Sequence, residues 1–244
     1  MSPPPHSPAP PHSPAPPRRL ACVDTSTSIE SLALVEGDAL IGERNVRREK
    51  GHASGLHADL DDLLRDAGWA LSDLHGLVCG TGPGSFTGMR VGIAAFKGLA
   101  QALRLPIYGV PTTRALLDAA GPGALAVVDA RRGDVYAEGG GLAAPLCGPP
   151  EALLAHFKRE GLAAPAALVG EGALRHRARL AAFWPTAWLA PAPAHAPRAA
   201  LLARHALTPH DLAALEPIYV RPSDAELNYP DGFPSEARLF APAP

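Results

Sequence analysis

Two segments of this 244-residue sequence carry the residue types that handle phosphate. The first is Asp24-Thr25-Ser26-Thr27, a carboxylate at the end of an apolar run followed by three hydroxyls. A carboxylate so placed can orient a hydrated Mg²⁺ while hydroxyls donate to phosphate oxygens. The second is Gly80-Thr81-Gly82-Pro83-Gly84-Ser85-Phe86-Thr87-Gly88-Met89-Arg90. Its glycines permit positive φ and close backbone approach, and a helix following it would present unpaired N–H groups and a positive dipole end. Asp24, Thr25, Ser26, Gly82, Gly84, Ser85, Thr87 and Gly88, together with Asp129, therefore form a candidate nucleotide- or phosphate-binding set. The loop is neither a Walker motif, having no Gly-Lys-Ser/Thr, nor a Rossmann fingerprint. A structural alternative stands beside this one. Each aspartate would cap its own turn, and the loop would be a tight turn whose helix is capped by Ser85 or Thr87.

Other chemistries find less support. Metal-binding histidines on one helix face lie three or four residues apart. His52/His57 and His205/His210 are each five apart, about 140° around a helix, and there is no His-Glu-x-x-His. No metal site is expected. Ser85 lacks the G-x-S-x-G elbow, and Cys22, Cys79 and Cys147 stand in no nucleophile or C-x-x-C motif. Arg44, Arg47, Arg48 and Lys50 form a basic run, with Arg175, Arg177 and Arg179 a smaller one. Glu43 and Glu49 interrupt the first, which reads as a solvated face.

The elements that must position these residues follow from periodicity. Leu20–Asp24, Ser31–Val35 and Ala39–Val46 read as three strands, the last two joined by a Gly37-Asp38 turn. Leu56, Leu60, Leu63, Leu64 and Ala67 repeat at helical spacing. Leu77–Cys79 is a fourth strand, Arg90–Leu103 a helix and Ile107–Val110 a fifth strand, after which Pro111-Thr112-Thr113 opens another helix. The chain then begins again: Val128-Asp129-Ala130-Arg131 leads into a strand at Val135–Glu138, echoing Val23-Asp24-Thr25-Ser26 and Ser31–Val35. Two related α/β lobes are expected, over 20–118 and 119–222, each a three-strand meander with helices. Irregular tails at 1–19 and 223–244 would flank them.

Composition bounds the rest. With 47% hydrophobic residues the chain can build a core, and its net charge of −2 argues against a basic nucleic-acid binder. No run approaches the roughly 18–20 apolar residues of a membrane span. Nine prolines fall within the first seventeen residues, where Pro-Pro-His-Ser-Pro-Ala occurs twice; this segment favours solvated, extended polyproline and lacks the apolar stretch of a signal peptide. A soluble cytoplasmic protein with reduced thiols is expected.

These residues resemble one family. Val23-Asp24-Thr25-Ser26, His52, the Gly82–Gly92 block with Gly98-Leu99-Ala100, Gly109-Val110-Pro111-Thr112, and Val128 through Tyr136 are similar to TsaB, the dimerisation subunit of the bacterial machinery that makes threonylcarbamoyladenosine in tRNA. Pro217–Pro222 looks like that family's closing strand. The resemblance implies two RNase H-like lobes of the sugar kinase–Hsp70–actin ATPase type. It also implies a non-catalytic role in transferring a threonylcarbamoyl group to N6 of the adenosine beside the anticodon, in tRNAs reading codons that begin with A. Its implied partners are a catalytic TsaD-like subunit, a TsaE-like ATPase and a second copy of itself, with tRNA reached only through the complex. Pairing through the first-lobe helices, over Ala53–Ala67 and Arg90–Leu103, would involve Leu56, Leu60, Leu63, Leu64, Phe86, Arg90, Ile93, Phe96, Lys97 and Ala100. The isolated chain would need no cofactor, and ATP or ADP with Mg²⁺ at the joint interface is left open. The competing expectation is an autonomous nucleotide-dependent hydrolase or small-molecule kinase using Asp24, Asp129 and the glycine loop.

Overall fold

The computed structural model describes residues 18–48, 55–206 and 208–220. Most of the 1–19 tail, the 223–244 tail, His52 and Ala53 lie outside them. The first lobe holds β1 (Arg19–Asp24), β2 (Ile29–Glu36), β3 (Ala39–Arg47), α1 (Leu56–Asp66), β4 (Gly76–Gly80), α2 (Phe86–Leu103) and β5 (Ile107–Val110). Its sheet runs β3-β2-β1-β4-β5, antiparallel through the meander and parallel beyond β1. The helix α3 (Thr112–Ala120) leads to β6 (Ala124–Asp129), β7 (Val135–Gly139), β8 (Leu146–Gly148), α4 (Pro150–Arg159), β9 (Ala167–Val169), α5 (Glu171–Arg175), α6 (Arg177–Phe183) and β10 (Trp188–Leu189). The second sheet runs β10-β9-β6-β7-β8, which is the first order repeated. This is a duplicated two-lobe α/β arrangement, as the resemblance implied, and the short Val-Asp echo marks the matching ends of β1 and β6.

The central strands β1, β4 and β6 are largely apolar because both faces of each sheet are covered there. Ala21, Val23, Leu32 and Leu34 face one way, onto Leu60, Leu64, Ile93 and Phe96 of α1 and α2. Their neighbours Leu20, Cys22, Ala33 and Val35 face the other way, onto Ala115 of α3 and onto Ala199 and Leu202 of α7 (Ala199–Leu202). In the second sheet Leu125 and Val127 pack with Phe157 and Trp184, while Ala126 and Val128 pack with Leu116 of α3. Successive residues of α3 thus enter the cores of different lobes. Thr113 Oγ1 donates to Glu138 Oε2 (2.6 Å), tying the start of α3 to β7, and Arg198, just before α7, donates to Glu43 Oε2 (2.5 Å) of β3.

Three expectations are corrected. The helix expected from Arg90 starts at Phe86, because the Ser85 side chain accepts from Gly88 N and caps it. The chain from Ala199 onward, expected in the second lobe, returns to the first: α7 packs on its sheet and Leu215 enters its α1–α2 core. The expected closing strand is not one over Pro217–Val220. Pro217 has no N–H for a ladder, and the segment is held by one backbone bond, Ile218 N to Thr81 O (2.7 Å). Among the described residues no helix is long and apolar enough to cross a membrane.

Candidate functional site

The ends of β1 and β6 face a cleft of about 450 Å³ between the lobes. Its first-lobe wall is the Ser26–Ser28 turn, the glycine loop and Arg48. Its second-lobe wall is Asp129, Arg131, Glu171 and His195, with Thr112 and Leu116 of α3 between them. The sequence-derived set does converge here, but its groups are turned on one another.

Asp24 has no exposed surface. Its Oδ1 accepts from Ser26 N (2.9 Å) and Ser26 Oγ (2.6 Å), and its Oδ2 accepts from Thr112 Oγ1 (2.6 Å). Burial pushes this carboxyl above its ordinary value, with the three donors pulling the other way. Thr112 Oγ1 also accepts from Gly82 N (3.0 Å), so one hydroxyl ties β1, the loop and the start of α3 together. Thr25 Oγ1 donates to Gly88 O (2.7 Å), and Ser85 N donates to Ser26 O (2.6 Å). The glycines are explained by these contacts. A Cβ on Gly80 would strike Asp24 Oδ2, on Gly84 the Ser26 carbonyl oxygen, and on Gly88 the Thr25 carbonyl oxygen. Their missing side chains seat the β1–β2 turn against the loop. At Gly82, φ of +91° adds a backbone requirement of its own.

Asp129 repeats the turn cap, accepting from Arg131 N (3.0 Å) as Asp24 accepts from Ser26 N. It differs in also receiving Arg175 Nη1 (2.7 Å). His195 is used structurally: its Nδ1 accepts from Gly170 N (3.0 Å) and its Nε2 lies 2.7 Å from Ala190 O. The fold type implies a nucleotide with Mg²⁺ at this cleft, and the residues do not fit it. Asp24 is sealed with its lone pairs engaged, Asp129 is held by a guanidinium, and the loop amides of Thr81, Gly82, Ser85 and Gly88 are bonded within the chain. The turn-capping alternative describes both aspartates. Among the described residues no three His, Cys, Asp or Glu side chains converge as a metal site. Thr112, Arg131 and His195 were not singled out from sequence. The Val-Asp echo pointed to the neighbourhood of Arg131, whereas nothing local marks His195.

Residues 47–145 match the family model described as TsaD: tRNA N6-adenosine threonylcarbamoyltransferase. The chain is 35% identical over 123 residues to the tRNA threonylcarbamoyladenosine biosynthesis protein TsaB of Escherichia coli, covering 48% of this chain and 53% of that protein. With the Bacillus subtilis protein of the same name it is 36% identical over 121 residues, 48% and 52% of the two chains. A Pseudomonas aeruginosa structure described as an uncharacterized protein with similarity to peptidase YeaZ superposes with a TM-score of 0.65 at 25% identity, over 84% of this chain and 100% of that one. Over about half of its length the chain is similar to TsaB proteins. The matched region spans about half the length of the curated TsaB relatives.

The resemblance made the first-lobe helices the expected pairing surface, and the structure corrects which residues form their outer face. Leu56, Leu60, Leu63, Leu64, Ile93, Phe96 and Ala100 are all at most 6% exposed and pack in the chain's own core. The helical stripe read as left over for a partner is the stripe that covers the sheet. Lys97 is half-buried, while Phe86 and Arg90 are exposed. The outward face carries Ala94, Gly98 and Gln101 on α2, with His57, Ala58, Asp61 and Arg65 on α1.

Proposed function

We propose that this chain is the non-catalytic subunit of a complex that forms threonylcarbamoyladenosine in tRNA, and that it docks and activates a TsaD-like catalytic subunit. The observation that carries this reading is the outer face of α1 and α2. One side of both helices is consumed by the sheet, and the other, small at Ala94 and Gly98, is exposed. Small residues let a partner helix approach closely, and a stable contact of about 800 Å² per side fits such a face. The engagement of Asp24 and the loop amides supports a scaffold rather than a catalyst. On this reading the isolated chain takes no cofactor, and any ATP or ADP with Mg²⁺ would be held at the joint interface. A TsaE-like ATPase would join the pair, a self-dimer would use the same face, and tRNA would be met only through the assembly.

The test is reconstitution. The chain alone should not modify tRNA, and mixing it with TsaD, TsaE and the threonylcarbamoyl donor should yield product. A glutamate at Ala94 or Gly98 should abolish co-purification with TsaD while leaving the fold intact. Charges at Ile93 or Phe96 would test only the core. Modification by the chain alone, or undiminished association of Ala94→Glu and Gly98→Glu, would overturn the proposal. Tight binding and turnover of Mg-ATP by the single chain would instead favour the hydrolase or kinase alternative.

A further inference from the structure

At the first turns of α2 an arginine is held ready by two aromatic rings. The Arg90 guanidinium carbon lies 3.8 Å from the Phe86 ring centroid and 5.4 Å from that of Tyr219. Arg90 Nε donates to the Tyr219 hydroxyl at 2.8 Å, and the two rings lie 5.2 Å apart. Tyr219 is itself anchored, since Ile218 N donates to Thr81 O (2.7 Å) and the Cys147 thiol donates to Val220 O (3.5 Å). The strap after α7 therefore delivers Tyr219 to the docking helix. Phe86 and Tyr219 remain 38% and 41% exposed. Among the described residues no carboxylate pairs with Arg90, and the first turn of α2 carries no acidic residue to offset it. Among the described residues neither Nη nitrogen has a hydrogen-bond partner.

We infer that Arg90 is a preorganised fork for an aspartate or glutamate side chain of the partner, with Tyr219 its positioning residue. This rests on the docking reading above and names the chemistry of that face. Three features point to a protein carboxylate. A guanidinium is always charged and matches a carboxylate bidentately. With Nε committed to Tyr219, the end-on approach to both Nη nitrogens is the one left open. Arginine and tyrosine bordered by apolar rings are the composition of an interface hot spot, where excluded water strengthens the pair. A nucleic-acid backbone is the weaker fit, because it is held by many cations at once, whereas this is one stacked guanidinium on a chain of net charge −2.

The experiment titrates purified TsaD with the full chain by calorimetry, at low and high salt. Arg90→Met should weaken binding about 30-fold or more, and Arg90→Lys about tenfold because the fork is lost. Tyr219→Phe, which keeps the ring, should weaken binding by about threefold to tenfold through the lost orienting bond. Arg90→Glu should abolish binding, and lysine in place of one TsaD carboxylate should restore it. Any of three results would overturn the inference while leaving docking standing: Arg90→Met binding within about twofold of the parent, Arg90→Lys matching the parent, or no lysine replacement restoring Arg90→Glu. Loss of tRNA affinity in Arg90→Met with TsaD affinity intact would assign the fork to phosphate and also overturn it. A parent chain that does not bind TsaD at all defeats the docking reading and this inference with it.

Discussion

Replacing Asp24 separates a structural carboxylate from a catalytic one. In Asp24→Ala, Ser26 N–H loses its acceptor inside the protein and cannot turn away, which costs about 1–3 kcal/mol. The Ser26 and Thr112 hydroxyls lose charge-assisted bonds, adding about 1–2 kcal/mol. Relief from burying a carboxylate offsets part of this, leaving a net loss of about 2–4 kcal/mol. At a urea m-value of about 2–3 kcal/mol/M, the midpoint should fall by about 0.7–2 M. Asp24→Asn behaves differently. Its amide oxygen keeps the Ser26 donors and its NH₂ faces a hydroxyl able to accept, so its stability should lie within about 1 kcal/mol of the parent. The pH dependence has a definite sign. Burial raises the native carboxyl above its unfolded value near 3.8. As pH climbs from there, the unfolded chain sheds its proton first and the parent loses stability until the raised native value is passed. The asparagine variant lacks that loss, so the difference between the two should move in its favour across this window. Urea melts at several pH values measure it. An Asp24→Ala midpoint within about 0.3 M of the parent, or an asparagine variant as damaged as the alanine one, would refute the capping role.

The same contacts lead to three further outcomes. Thr112→Val removes the hydroxyl shared by Asp24 and Gly82 and should cost about 2–3 kcal/mol in a urea melt, whereas Thr112→Ser should cost less than half of that. Gly98→Ala, in open space on α2, should stabilise the isolated chain by about 0.5–1 kcal/mol, while Gly88→Ala should destabilise it because the new methyl meets the Thr25 carbonyl oxygen; thermal melts will separate the two signs. Cys22 and Cys79 are buried and their thiols are pushed up by burial, so a thiol reagent should label the exposed Cys147 in the native protein and all three cysteines in denaturant, as counted by intact mass.

The fold was legible where hydrophobic pattern and turn chemistry agreed. Ile107–Val110 is the strand its apolar run foretold, and β1 to β4 lie within a few residues of their expected bounds. The start of α2 was misplaced because Phe86-Thr87-Gly88 looks like loop, and only the Ser85 cap reveals it as the first turn. The return of Ala199–Val220 to the first lobe was not legible, since that choice is made by Ser31 Oγ, Thr81 O and the first-lobe core, all more than a hundred residues away. The candidate site was legible as a place, and its chemistry was left between phosphate binding and turn capping. Glycines that admit a phosphate and glycines that admit a neighbouring carbonyl look the same in one sequence, and only the position of Ser26 O and Thr25 O tells them apart. The helical stripe was misassigned for a related reason. Leu60, Leu64, Ile93 and Phe96 mark which side of each helix is apolar, but an apolar side first serves the chain's own sheet.

The duplicated turn carries the same lesson through both lobes. Asp24 and Asp129 occupy matching strand ends and accept the same backbone bond, yet Asp24 is closed in by Thr112 while Asp129 is met by Arg175. A pair of carboxylates retained for metal chemistry would keep lone pairs aimed into the cleft between them. These two keep the one interaction that both lobes need to turn the chain, and each has given its other oxygen to a separate partner. The cleft's symmetry is therefore preserved in its backbone and lost in its side chains, as expected if architecture is what the matching strand ends maintain. The helix face with exposed Arg90, Ala94 and Gly98 then carries the functional reading, because among the described residues Arg90 pairs with no carboxylate while Ala94 and Gly98 are open to solvent.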